Sequence, residues 1–147
     1  MKNLFPYINF GGKTVEALEF YKSVFGGDLN IQKIGDGPMK DQMGPDMNDK
    51  VMHASLTTPK FMIGASDMFE GGTPDMGNAI SMALDFDNEE EMKEFWGKLI
   101  AGGGKEGHAI QTTFWGAFGD LDDKFGVNWM LNYTKPGMGA DMSEKKE

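Results

Sequence analysis

Residues 79–104 read Ala79-Ile-Ser-Met-Ala-Leu-Asp-Phe-Asp-Asn-Glu-Glu-Glu-Met-Lys-Glu-Phe-Trp-Gly-Lys-Leu-Ile-Ala-Gly-Gly-Gly104, and this stretch decides the fold. Its first part alternates. Ile80, Met82, Leu84 and Phe86 fall on one face and Ala79, Ser81, Ala83 and Asp85 on the other, which predicts a half-buried strand. Asn88 and Glu91 form a capping pair for a helix to about Ala101, with Met92, Phe95, Trp96, Leu99 and Ile100 as its buried stripe. Gly102-Gly103-Gly104 ends it, because glycine accepts the left-handed backbone at a helix terminus.

The same order occurs earlier in the chain. Leu4–Phe10 reads as a strand, and Thr14 is placed to cap a helix running to about Phe25. Ala17, Leu18, Tyr21, Val24 and Phe25 recur at helical spacing, while Glu16, Glu19, Lys22 and Ser23 face water. Gly26-Gly27 stops this helix as the later glycines stop theirs. Glu19-Phe20-Tyr21 falls on Glu94-Phe95-Trp96, 75 residues on, which marks an internal repeat. Further strands are predicted near Leu29–Ile34, Val51–Thr57 and Lys60–Ser66, then near Phe114–Phe118 and Val127–Tyr133. Gly35–Lys50, rich in Gly, Pro, Asp and Met, reads as a loop. The expected organisation is an α+β fold in one domain over 1–134. Module 1 covers about 1–67, a linker 68–78 and module 2 about 79–134, with a charged flexible tail at 135–147.

Composition narrows the function. The 147 residues carry a net charge of −9, a field that repels phosphate backbones, so nucleic acid is not an expected partner. Apolar runs are strand-length, short of the ~20 residues that span a bilayer, and no signal region opens the chain. Cysteine is absent, which removes disulfides, thiolate metal cages and cysteine nucleophiles. No membrane association and a cytoplasmic location are the expectations.

Three local patterns carry a family resemblance. They are Pro6-Tyr-Ile-Asn-Phe-Gly-Gly12 with Glu16-Ala17, Phe20-Tyr21 and Phe25-Gly26-Gly27; Val51-Met-His-Ala54; and Phe114-Trp-Gly116 with Asp123-Lys-Phe-Gly-Val-Asn-Trp129. In this order, over Leu4 to Tyr133, the chain resembles the PhnB-like branch of the glyoxalase/bleomycin-resistance/dioxygenase (vicinal oxygen chelate) superfamily. The resemblance implies two βαβββ modules forming an eight-stranded incomplete barrel around one concave pocket, commonly in a homodimer. Branch members often carry a label as ubiquinone-pathway methyltransferases.

Enzymes of that superfamily hold a divalent cation through His and Glu, and the metal polarises vicinal oxygens of the substrate. Carried onto this chain, the ligand positions fall on Phe5, near Gly64, on Ser81 and on Met130. Phe, Gly, Ser and Met lack the donors such a cation needs, so neither metal nor cofactor is expected. Strand alternation instead turns Phe5, Tyr7 and Asn9, His53 and Ser55, Ser81, Ala83 and Asp85, and Asn128, Met130 and Asn132 into the pocket. Ile80, Met82, Leu84, Val127, Trp129 and Leu131 then pack under the helices.

From these come the candidate site residues. His53 and Asp85 are the candidate acid–base groups, and Tyr7, Asn9, Ser81, Trp115, Asn128 and Met130 the candidate ligand contacts. A structural histidine, a solvated strand-end aspartate and a core tryptophan would leave the same signatures. Met39, Met43 and Met47 suit an adaptable loop better than a soft-metal site. A methyltransferase would need a glycine loop between a strand and a helix start, whereas Gly26-Gly27 and Gly102-Gly103-Gly104 lie where helices end. Binding of a small, cationic or aromatic molecule is the first reading. A metal-free isomerase or lyase is the second, and a metal-dependent glyoxalase or dioxygenase with other ligands the third.

Overall fold

The computed structural model describes residues 1–42, 44–67 and 73–138. Met43 of the methionine series, residues 68–72 of the expected linker and 139–147 of the expected tail lie outside the described residues. The chain divides into two compact units, Met1–Asp75 and Met76–Glu147.

The first unit contains β1 (Tyr7–Asn9), α1 (Thr14–Phe25), β2 (Asp28–Lys33), β3 (Val51–Thr57) and β4 (Met62–Ser66). The second contains β5 (Met82–Phe86), α2 (Glu89–Ala101), β6 (Lys105–Thr112), β7 (Gly116–Asp122) and β8 (Asn128–Thr134). Each unit builds one four-stranded sheet, in the orders β1-β4-β3-β2 and β5-β8-β7-β6. The first strand of each unit lies parallel to its last, and the other pairs are antiparallel. The repeat read from the sequence is thus a repeat of topology.

Each sheet has one helix-covered face. Ala17, Leu18, Tyr21 and Val24 of α1 are buried with Ala54 and Leu56 of β3 and Ile63 and Ala65 of β4. In the second unit Met92 and Leu99 of α2 are buried with Leu121 of β7 and Trp129 and Leu131 of β8. Burial of these apolar side chains, at about 1.5–3 kcal/mol each, holds the helices to the sheets. Asn88 caps α2 as expected, its side chain accepting the Glu91 N–H at 2.9 Å. Among the described residues no helix is long and apolar enough to cross a membrane.

Four local expectations are corrected. Thr14 is not the cap of α1: Lys13 holds that position without a side-chain bond, and Thr14 is the first helical residue. The capping acceptor comes from Asp67, 53 residues away. Its Oδ1 accepts the Thr14 N–H at 3.2 Å, the Thr14 hydroxyl at 2.6 Å and the Gly12 N–H at 2.9 Å. Its Oδ2 accepts the Val51 N–H at 3.2 Å. A carboxylate there satisfies orphan donors and complements the helix dipole, which a local motif search does not see.

The second correction is β6, absent from the predicted strands. Only Ile110 of its residues is even half-buried, because β6 is an edge strand with almost no apolar signal. Third, β7 starts at Gly116 rather than Phe114, which is 79% exposed. Fourth, Ile80 does not pack under α2: β5 begins at Met82, and Ile80 is 79% exposed.

Removing the Asp67 carboxylate tests the long-range cap. Asp67→Ala is expected to lower stability by about 3 kcal/mol, since it strands donors at the start of both α1 and β3. Asp67→Asn should recover part of this. The midpoint of urea unfolding at unchanged slope is the measurement.

Candidate functional site

The sheet face away from α1 carries the first-unit candidates. Tyr7 lies beside Gly64 on β4, which pairs with Ser55 on β3. His53, two residues before Ser55, shares that face and meets Tyr7: the Tyr7 hydroxyl is 3.1 Å from His53 Nδ1, and the rings stack at 5.8 Å and 15°. Asn9 follows on β1. Its Oδ1 accepts the Gly11 N–H at 2.9 Å, while its Nδ2 is buried with no hydrogen-bond partner among the described residues. A buried amide left unpaired is costly, which makes Asn9 a ready donor to a ligand acceptor.

The equivalent face of the second sheet carries the rest. Ser81 donates its hydroxyl to Asn128 Oδ1, and Asn128 Nδ2 donates to the Leu121 carbonyl at 3.1 Å and Asp122 Oδ1 at 3.0 Å. Parallel pairing sets Ala83 opposite Met130 and Asp85 opposite Asn132. Asn132 is the hub that the candidate set missed. Its Oδ1 accepts the Trp115 indole N–H at 2.8 Å, and its Nδ2 reaches Asp85 Oδ1 at 3.4 Å and Thr134 Oγ1 at 3.2 Å. The alternation that selects Asn128 and Met130 also selects Asn132, so the signal was present. Trp115 is half-buried and tethered, whereas Trp129 is the tryptophan buried in this unit's core.

The structure therefore joins Tyr7 with His53, Ser81 with Asn128, and Trp115 through Asn132 with Asp85. Met130 sits between Asn128 and Asn132 on the same strand face. His53 and Asp85, the candidate acid–base pair, belong to different units.

The residues at the superfamily's ligand positions do not fit a divalent cation. A Cβ at Gly64 would lie 2.6 Å from the Tyr7 ring and 3.1 Å from the Phe5 ring, so aromatic carbon fills the space a carboxylate would need. The Ser81 hydroxyl is engaged by Asn128, and Met130 offers only a weak thioether. Among the described residues no three His, Cys, Asp or Glu side chains are grouped to hold a metal.

One glycine pair does lie between a strand and a helix start. Gly11-Gly12 separates β1 from α1, but the Gly12 and Thr14 N–H groups point at the Asp67 carboxylate. The protein supplies its own anion there.

Comparison with known proteins agrees with this architecture. Residues 2–132 match the family described as 3-demethylubiquinone-9 3-methyltransferase. Protein YjdN of Escherichia coli (strain K12) is 32% identical over 143 residues, covering 90% of this chain and 95% of that protein. The crystal structure of protein PA1353 from Pseudomonas aeruginosa superposes with a TM-score of 0.79 at 32% identity, covering 92% of this chain and 99% of that one. The structure of a putative 3-demethylubiquinone-9 3-methyltransferase, PhnB protein, from Bacillus cereus gives 0.73 at 27%, covering 90% and 100%. A glyoxalase/bleomycin resistance protein/dioxygenase family enzyme from Burkholderia phytofirmans PsJN shares the fold, with a TM-score of 0.56 at 19% identity over 89% of this chain and 95% of that one. The chain belongs to the PhnB-like (3-demethylubiquinone-9 3-methyltransferase-like) family, on the glyoxalase/bleomycin-resistance fold.

The Asn132 hub yields a direct expectation. Asn132→Leu should leave the Trp115 N–H unpaired, cost about 1–2 kcal/mol of stability and speed exchange of that indole proton. Proton NMR of the Trp115 indole resonance checks it.

Proposed function

We propose that this PhnB-like protein binds a small organic molecule, neutral or cationic and with an aromatic or apolar body, in a metal-free pocket. The observation that carries this reading is the tethered set Trp115, Asn132 and Asp85 beside Ser81, Asn128 and Met130. It offers a few directional polar groups around apolar surface, as small-molecule sites do. Asp85 supplies the negative charge for a cationic group, Trp115 an aromatic face and Asn128 a hydrogen-bonding edge. In the first unit Tyr7, His53 and Asn9 offer the same mixture. The donor chemistry at Phe5, Gly64, Ser81 and Met130 supports recognition by shape and hydrogen bonds rather than chelation. The reading includes a homodimer in the cytoplasm with no nucleic-acid partner, the last supported by the net charge of −9.

A second reading, a metal-free isomerase or lyase using His53 and Asp85, draws on one observation. The Tyr7 hydroxyl engages His53 Nδ1 and orients the ring, as an acid–base histidine requires. Methyl transfer, which the family's description names, finds no support in the glycines: Gly26 and Gly102 cap helix C-termini, and the N–H groups after Gly11 are taken by Asp67.

A thermal-shift screen of aromatic amines and glycopeptide antibiotics tests the binding reading. A ligand at a hundredfold its Kd is expected to stabilise the protein by about 2.7 kcal/mol, and Asp85→Asn should weaken the response to cationic hits. Screening without a hit would count against the reading. Elemental analysis of the purified protein should find no stoichiometric divalent metal, and a bound equivalent of Ni, Zn, Fe or Mn would overturn the metal-free part.

A further inference from the structure

The second histidine, His108, lies on β6 and has entered none of the readings above. Pairing of β6 with β7 shifts register on both sides of it, between Glu106 and His108 and again between His108 and Gln111. The Asp120 carboxylate of β7 occupies the opening. Its Oδ1 accepts the His108 backbone N–H and lies 3.0 Å from the His108 ring Nδ1. A Cβ at residue 107 would come within 2.4 Å of the same oxygen, so the glycine there leaves room for the carboxylate. Asp120 is thus held by the backbone before it meets the ring.

The pair ends a row that crosses the open sheet face. Asp120 is opposite Met130 on β8, and Met130 is opposite Ala83 on β5. The His108 side chain is 72% exposed and that of Asp120 22% exposed. No partner for His108 Nε2 occurs among the described residues.

We propose that His108 and Asp120 form an acid–base dyad whose reactive atom is His108 Nε2 and whose ligands are neutral or cationic small molecules. The carboxylate draws the ring N–H to Nδ1, which leaves the lone pair on Nε2 free to take a proton. A second-strand carboxylate that fixes tautomer and orientation is the arrangement general-base histidines use. Asp120 and Asp122 on the same strand disfavour an anionic ligand, and Met130 and Phe118 give an apolar body somewhere to rest. The dyad stands on its own geometry and does not depend on the binding reading above.

Two measurements on the full chain test it. In ring-nitrogen NMR of the ¹⁵N-labelled protein, neutral His108 should carry its proton on Nδ1, and Asp120→Ala should move the population toward Nε2–H. With 4-nitrophenyl acetate as probe, Nε2 takes a proton from a water molecule as that water's oxygen attacks the ester carbonyl, and the ester C–O bond breaks so that 4-nitrophenolate leaves with its electron pair. Acetic acid is the other product, and the imidazolium returns its proton to solvent. Nitrophenolate release should fall about a hundredfold in His108→Ala and in His108→Gln, the low end of what a positioned base contributes. The anionic 4-nitrophenyl hemisuccinate should react more slowly than the acetate ester. A wild-type Nε2–H tautomer, release unchanged in both His108 variants, or equal rates for the two esters would overturn the proposal. Because the spectrum needs no variant of His108, misfolding of a substituted chain leaves the first measurement decisive.

Discussion

In each unit the first strand runs parallel to the last and hydrogen-bonds to it, and the candidate chemistry depends on that pairing. A parallel pair cannot be closed by a tight turn, so the chain crosses over through a helix before it returns. The crossover places α1 or α2 on one face of its sheet and leaves the other face open. The register then decides which distant residues become neighbours. In the second unit it sets Asp85 against Asn132 and Ala83 against Met130, making neighbours of residues 47 positions apart. In the first it sets Tyr7 against Gly64, from where the phenol reaches His53.

Two aspartates hold the ends of this scheme. Asp67 gathers the Gly12, Thr14 and Val51 N–H groups, tying the entrance of α1 to the start of β3. Asp123 is 4% exposed; it accepts the Phe125 and Val127 N–H groups and, through its other oxygen, the Trp129 indole N–H at 2.8 Å. That turn delivers β8 in the orientation that buries Trp129 and opens Asn128, Met130 and Asn132 to the other face. Both carboxylates are consumed by structure, which explains why acidic residues in glycine-bearing loops here are poor guides to ligand sites.

The open faces divide their labour by residue type. The first presents aromatic rings over Gly64 and an amide with an unpaired donor, at Asn9. The second presents amides already oriented by neighbours, at Asn128 and Asn132, with carboxylates at Asp85, Asp120 and Asp122. Preorganised amides recognise a ligand with little loss of side-chain entropy, which is the physical basis for preferring a binding role.

How much of this was legible beforehand follows from the range of each interaction. The alternation in 79–86 and the 3.6-residue stripes of both helices are local, and they predicted the helices, most strands and the correct face for Tyr7, Asp85, Asn128 and Met130. The motifs quoted from 6–27, 51–54 and 114–129 placed the chain in its family. β6 escaped because an edge strand buries almost nothing and so leaves no apolar period. The Asp67 cap, the Asn132 hub and the His108–Asp120 contact escaped because each joins residues 12 to 53 positions apart. Such contacts depend on strand order and register, which hydrogen bonding between strands settles only once the sheet has formed.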